Sequence, residues 1–473
     1  MQQVSGSIMH YTSTRDSSLR LGFREVVESG LSAEGGLFLP LLVPDLSADM
    51  PAWSGLPYKE LAAKIFSIYA GADLPAADTD RLLNKALARF RHAGITPLVS
   101  QGRLHVLELF HGPTYSFKDV ALQWLGCLFE QWPAAGGRRT VLGATSGDTG
   151  SAAIHGLRGV AGTEVYILFP EGRVSAIQEL QMTTVADANI HCLAIRGSFD
   201  DCQNLVKECF ADAAFKREMS LAAVNSINWS RIMAQIVYYF SGYFQWLRRQ
   251  GYPYGTPLAC AVPTGNFGDV FAGHLARQMG LPLQPLIIAS NENDILTRFS
   301  RTGIYEMRAV VPTTSPSMDI QISSNFERLL YLLHDGDATR IQALMGQLKR
   351  ENKFSVAAQV LKKFNANFAA ASVDQRECEA VMRELYNTSG MVVDPHTAVG
   401  IGAAGKILGS EADVMCLATA HPAKFLPAVE KACAHTFALP AELEQLKLAK
   451  VRKTVLAPQV EVIKSWIRQG PHS

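Results

Sequence analysis

The chain reads as an α/β protein: two lobes, each a parallel sheet flanked by helices, preceded by a mixed and helical N-terminal domain. Three observations predict this. From Arg103 onward, short apolar β-prone runs alternate with helical periodicities, the texture of βαβ units whose sheet is covered on both faces. At 473 residues the chain is too long for one ordinary core. Two groups of such units are separated near Ser226 to Arg231, so a cleft between two lobes is expected, with chemistry at the loops that leave the carboxyl ends of strands.

Taken in order, residues 1–97 form the N-terminal domain. Gly35 to Pro40 is a turn there, and Tyr58–Tyr69 and Asp78–Ala93 carry helical periodicity. Strands are expected over Arg103–Leu109, Thr140–Ala144, Glu164–Phe169, His191–Ile195, Leu258–Val262, Leu286–Ala289 and Val414–Ala418. Helices are expected over Lys118–Trp132, Ser151–Gly159, Asp200–Phe215, Trp229–Arg249 and Asp269–Met279. The stretch Asp337–Tyr386, strongly helical and charged on one face, reads as a solvated helical pair. Residues 98–435 are thus the two-lobed region, and 436–473 a C-terminal extension.

Composition narrows the function classes. Hydrophobic residues make up 48% and charged residues 18%, which excludes a disordered chain. The formal charge of +1 provides no broad basic field for nucleic acid or an anionic membrane. Eight cysteines include no C-x-x-C pair and no His/Cys cluster at zinc spacing, so no metal site is expected and a reduced, cytoplasmic setting is. The N-terminal twenty residues lack the apolar stretch of a signal peptide. No segment approaches the roughly 20 apolar residues of a membrane span.

Three loops stand out. Ser146, Gly147, Asp148, Thr149 and Gly150 follow a strand and open a helix, where small residues let backbone amides approach an anion and the helix terminus adds positive potential. The loop matches neither G-x-x-x-x-G-K-[ST] nor G-x-G-x-x-G, so common nucleotide sites are disfavoured, and a plain tight turn is the alternative. Gly265, Asn266, Phe267, Gly268 and Asp269 repeat the arrangement after a second strand, and two such loops together favour an anionic ligand. Lys118 stands at the mouth of an apolar helix, where the dipole disfavours its charge and helps the amine act as a nucleophile toward a carbonyl. A surface lysine is the ordinary alternative at that position.

The run HGPTYSFKDVALQ at 111–123 resembles the lysine segment of fold type II pyridoxal-phosphate enzymes, and specifically that of threonine synthases of the longer, fungal and bacterial kind. The resemblance extends along nearly the whole chain, through STR (13–15), GLSAEGGLFLP (30–40), GATSGDTGSAAIHGLRG (143–159), IQELQMTT (177–184), NSINWSRI (225–232), PTGNFGDVFAG (263–273), SPSMDIQISSNFERLL (315–330), DPHTAVG (394–400) and ATAHPAKF (418–425). It implies the two-lobed fold of the tryptophan synthase beta type, with pyridoxal 5'-phosphate as cofactor. Lys118 would hold the coenzyme as a Schiff base and act as general base and acid. Gly265 to Asp269 would hold its phosphate, and Thr419 would face the pyridine nitrogen. Ser146 to Gly150 would receive the substrate carboxylate, with Asp148 where many fold type II enzymes carry Asn. Asn225, Ser226 and Arg231 would bind the substrate phosphate, the planar guanidinium forking onto two oxygens.

The reaction so implied converts O-phospho-L-homoserine and water to L-threonine and phosphate. The runner-up is a phospho-lyase that resembles threonine synthase and releases 2-oxobutyrate, ammonia and phosphate. A catalytically silent binding protein is disfavoured by the intact Lys118, Gly265–Asp269 loop and Thr419. Longer members of the family tend toward monomers, so a monomer or weak homo-oligomer is expected. His111, His155 and His421 lie beside the motifs and read as hydrogen-bonded structural histidines.

Overall fold

The runs Ala259–Pro263, Leu286–Ser290 and Val414–Ala418 are buried at every residue, as strands covered on both faces must be. In the computed structural model, which describes residues 9–134, 136–409 and 411–470, they form the centre of a six-stranded sheet. The order is Phe368–Ser372, Leu286–Ser290, Ala259–Pro263, Val414–Ala418, Leu104–Glu108, Leu98–Gln101. All neighbours are parallel except the last pair, where Leu98–Gln101 runs antiparallel along the edge. Against this sheet's unit belongs the 22-residue helix Trp229–Gln250, buried without a break from Trp229 to Phe244 because it is apolar on nearly all sides. Asn228 caps it by accepting from the Ser230 amide at 3.0 Å, and Gly251, at φ +70°, ends it in the left-handed conformation.

The described residues divide into two compact units. One comprises 9–84, 90–111 and 226–436, and the other 85–89, 112–225 and 437–470. The first unit also contains an antiparallel sheet, with Tyr11–Ser13 between Asp16–Leu21 and Phe38–Pro40. Thr14 and Arg15 hold Glu327 of the same unit: Thr14 Oγ1 donates at 2.6 Å, and Arg15 forks onto both carboxylate oxygens at 2.9 and 2.8 Å.

The first unit's core also buries His274 between the rings of Phe271 and Phe368, with no hydrogen bond to Nδ1. Burial lowers its pKa from 6.5 to about 4. Between those values the unfolded chain binds the extra proton, so stability rises with pH through this window and is lost as pH falls from 6.5 toward 4. One such group contributes a slope of at most ~1.4 kcal/mol per pH unit. Urea midpoints measured from pH 7 to 4 are expected to fall less steeply in His274→Phe than in the wild type. Parallel slopes would remove His274 from the acid transition.

The second unit is a five-stranded, all-parallel sheet in the order Thr454–Leu456, Ile190–Ile195, Thr163–Pro170, Arg139–Ala144, Leu221–Ala223. Residues after 436 supply its edge strand and the helix Val460–Gln469, whose Ile463 and Ile467 pack with Leu205, Cys209 and Phe215. Two helices, Lys118–Gln131 and Asp148–Leu157, meet backbone to backbone. A Cβ at Gly126 would collide with the Gly156 carbonyl, and one at Gly156 with the Leu122 carbonyl. Because the obstacle is main chain, Gly156→Ala is expected to cost about 3 kcal/mol, read as a lowered thermal midpoint. An unchanged midpoint would mean that the helices separate freely.

Several expectations need correction. Asp337–Tyr386 is not a solvated helical pair: its helices Ala338–Glu351 and Ala358–Asn365, with the start of Gln375–Ser389, enclose strands Lys353–Ser355 and Phe368–Ser372. The second of these is an edge of the six-stranded sheet. Its sequence FAAAS lacks β-branched residues, and pairing with Leu286–Ser290 overrides its local preference. The helix expected over Asp200–Phe215 breaks at Asp212, whose extended backbone lets its carboxylate cap Ala213–Glu218. The second N-terminal helix is Ala76–Leu87, ending well before Ala93. Residues 1–8 of the stretch read for a signal peptide lie outside the described residues. No described helix is long and apolar enough to cross a membrane.

Candidate active site

In the second unit, the loop before Lys118 is pinned by Asp119, a fully buried carboxylate. It accepts the Thr114 amide at 2.9 Å, the Thr114 hydroxyl at 2.6 Å and the Ser116 amide at 3.3 Å. Gly112 must be glycine, because a Cβ there would overlap the Asp119 side chain. These bonds place Lys118 as the first residue of helix Lys118–Gln131. Its Nζ lies 3.4 Å from Asp148 Oδ2 and 4.6 Å from the centre of the Phe117 ring. Asp148 opens helix Asp148–Leu157, where the dipole favours its charge, and its other oxygen accepts from Gln178 Nε2 at 2.7 Å.

This revises the expected electrostatics of the lysine. Attraction between charges at 3.4 Å is about 5 kcal/mol at an effective dielectric of 20, against ~1 kcal/mol for a helix terminus. The carboxylate outweighs the dipole. Gln178 and Asp119 were invisible as site residues, although Gln178 lies within IQELQMTT and Asp119 within the lysine motif. Their importance comes from contacts 30 and 5 residues away along the chain.

The loop Ser146–Gly150 is only partly free for a ligand. Thr145 Oγ1 accepts the amides of Gly147 and Gly150, at 3.0 and 2.8 Å. Gly147 has φ +140°, and a Cβ on it would come within 2.5 Å of the Gln178 side chain. Ser146 and Thr149 are half-buried, and neither their hydroxyls nor their amides donate to a described group. Those two residues keep hydroxyls and amides that an anion could use.

In the first unit, strand Ala259–Pro263 leads through Thr264–Phe267 into helix Gly268–Gln278. The amides of Gly265, Asn266, Phe267 and Gly268 donate to no described group, so four N–H groups gather at one helix N-terminus. The loop is held from behind: Ser323 Oγ donates to the Gly265 carbonyl at 2.8 Å, and a Cβ on Gly265 would come within 2.5 Å of the Ser317 carbonyl. Phe267, at φ +63°, turns its ring into the core against Phe326 and Phe368. Asp269 is buried, with its Oδ1 accepting from Tyr239 at 3.1 Å. What Phe267 and Asp269 offer a ligand is main chain.

Thr419 follows strand Val414–Ala418, is 7% exposed, and its hydroxyl bonds to no described group. Ser226 is half-buried, and so is Asn225, the last residue of the second unit's central stretch. Arg231 lies in the first turn of Trp229–Gln250 at 2% exposure, and burial lowers its pKa to about 10, which leaves it a cation at neutral pH. A buried guanidinium at a helix N-terminus is disfavoured by both desolvation and the dipole, an arrangement an anion corrects. The three histidines have structural partners: His111 with Glu108 at 2.8 Å, His155 with the Gln181 carbonyl at 3.2 Å, and His421 Nδ1 accepting the Ala423 amide at 3.1 Å.

Taken unit by unit, the donor types suit pyridoxal phosphate: the second unit has an amine that could take an aldehyde, and the first has four amides that could take a phosphate and a neutral hydroxyl that could face a ring nitrogen. The model of the pyridoxal-phosphate dependent enzyme family matches residues 90–420. The chain has the fold of the type II enzymes that use this coenzyme, and it is a pyridoxal-phosphate-dependent lyase. Models described as threonine synthase N terminus and threonine synthase, C-terminal match residues 10–87 and 397–467. The chain is 45% identical to a threonine synthase of Pseudomonas aeruginosa, covering 98% of each sequence. It superposes with a TM-score of 0.92 on the crystal structure of pyridoxal-phosphate-bound threonine synthase from Brucella melitensis, at 44% identity over 98% of this chain and 100% of that one. A human threonine synthase-like 2 protein is more distant, at 35% identity over 95% of this chain and 94% of that protein. The chain belongs to the threonine synthase family.

Proposed function

We propose that the chain converts O-phospho-L-homoserine and water to L-threonine and inorganic phosphate in the cytoplasm, the last step of threonine biosynthesis, as a monomer or weak homo-oligomer. The observation that supports this substrate is a second anion-binding set in the first unit. The amides of Gly265 to Gly268 are sufficient for the coenzyme's single phosphate. Arg231, buried in the first turn of its helix and cationic at neutral pH, with Ser226 in the same unit, suits a second phosphate. A substrate carrying its own phosphate would supply it.

The coenzyme, when bound, supplies a sink for the electrons left when a C–H bond beside the substrate nitrogen is broken. Lys118, once the substrate amine has taken its place, would remove the proton at Cα, pass it to the electron sink so that the amine is free again, and then remove one at Cβ. It returns a proton to Cγ after phosphate has left that carbon, and to Cα after water has added at Cβ. Asp148, 3.4 Å from Nζ, holds the ε-ammonium in place between transfers. Ser146 and Thr149 receive the substrate carboxylate, and Thr419 donates its hydroxyl toward the ring nitrogen. A neutral partner there withdraws fewer electrons than an acid and suits chemistry at Cβ and Cγ.

The test is incubation of the holoenzyme with phosphohomoserine while phosphate, threonine and 2-oxobutyrate are measured together. Equal phosphate and threonine are expected. Phosphate matched by 2-oxobutyrate and ammonia would replace this reading with the phospho-lyase.

A further inference from the structure

Asn325 precedes helix Phe326–Leu333 at the N-cap position, where asparagine commonly bonds the first-turn amides, yet its side chain makes no such bond. It is fully buried, and its donors go elsewhere. Nδ2 donates to the Ser226 carbonyl at 3.1 Å and to the Asn266 carbonyl at 2.9 Å, and the Asn325 backbone amide reaches the same Asn266 oxygen at 3.0 Å. Oδ1 accepts from the guanidinium of Arg328, which also donates to the carbonyls of Phe38, at 2.8 Å, and Ile227. Only the oxygen can accept from a guanidinium, so the amide's orientation is fixed and both of its N–H groups point at carbonyls. Gly268 leaves the room this needs, since a Cβ there would come to 3.3 Å from Nδ2.

The two carbonyls belong to different sets. Ser226 is in the segment proposed for the substrate phosphate, and Asn266 is in the loop proposed for the coenzyme phosphate. We infer that Asn325 is a positioning residue that fixes the spacing of the two phosphate sites and thereby the length of substrate accepted between them. The inference rests on the assignment of those two anion sets. A fixed spacing places the γ-carbon and its leaving group for reaction, whereas an amino acid shorter by one methylene cannot span it. One methylene ordinarily discriminates by about 10- to 200-fold.

Asn325→Asp keeps the acceptor for Arg328 and replaces both donors by an anion facing two carbonyl oxygens. Asn325→Ser breaks the bridge without adding charge. The holoenzymes are compared for KM of phosphohomoserine, for the dissociation constant of phosphoserine, which is one methylene shorter, and for the phosphorus resonance of the bound coenzyme. Both variants are expected to raise KM at least ~10-fold and to change phosphoserine binding less than ~3-fold, so that discrimination collapses, while the phosphorus resonance shifts. Equal weakening of both ligands, or constants that do not move, overturns the inference and leaves Asn325 a packing residue. Arg231→Gln is measured alongside. If it leaves KM unchanged, the assignment of the substrate-phosphate set itself has failed, and that is distinct from a failure at Asn325 alone.

Discussion

Lys118→Ala is expected to lose at least ~10⁴-fold in turnover and the visible absorption of the coenzyme's Schiff base, because one amine serves as both covalent anchor and proton carrier. The structure permits this to be separated from a folding defect. Removing Lys118 leaves Asp148 buried beside Gln178 without its cation, and breaking a buried pair in this way costs about 3–5 kcal/mol. Lys118→Ala combined with Asp148→Asn removes the carboxylate's charge together with the lysine's. The double variant is expected to regain thermal stability and to remain inactive. The loop itself does not depend on the lysine, since Thr114 and Ser116 bond to Asp119. Turnover and colour retained in Lys118→Ala would overturn the mechanism, and activity regained in the double variant would assign the single variant's loss to folding.

How far the sequence carried depended on whether the determining contacts were local. Val414–Ala418 is the strand its five apolar residues announce, and Trp229–Gln250 follows its periodicity to within a residue of Arg249. Phe368–Ser372 and Thr454–Leu456 escaped, one because alanines mask a strand and the other because three residues at a sheet edge leave no period to read. The candidate site divides in the same way. Lys118 opens a helix, and the Gly265–Asp269 loop and Thr419 follow strands, at places that motifs mark. In Ser146–Gly150, where small residues were expected to let amides approach an anion, Thr145 takes the amides of Gly147 and Gly150, a bond set by side-chain rotation. Asp148 as the partner of Lys118, and Asn325 between two carbonyls, come from residues 30 and 59 or more positions apart. No periodicity reaches that far.

Arg231→Gln is expected to raise KM for phosphohomoserine about 100-fold while leaving the coenzyme's absorption unchanged. The magnitude follows from the loss of charged bonds to a buried phosphate, about 3 kcal/mol, at 1.4 kcal/mol per tenfold. Thermal midpoints are measured alongside, so that a loss of folding is told apart from a loss of phosphate binding. Dependence on pH gives a second reading of the same contact. Phosphohomoserine binding should strengthen as pH rises through about 6, where the phosphate monoester takes its second charge. It should weaken again as pH approaches 10, where the folded-state guanidinium, its pKa lowered to about 10, loses its proton. In Arg231→Gln the upper limb should disappear. Homoserine analogues without phosphate serve as the control, because they never meet the guanidinium. If they weaken by the same factor as phosphohomoserine, Arg231 supports the fold of the first turn and does not bind the substrate's phosphate.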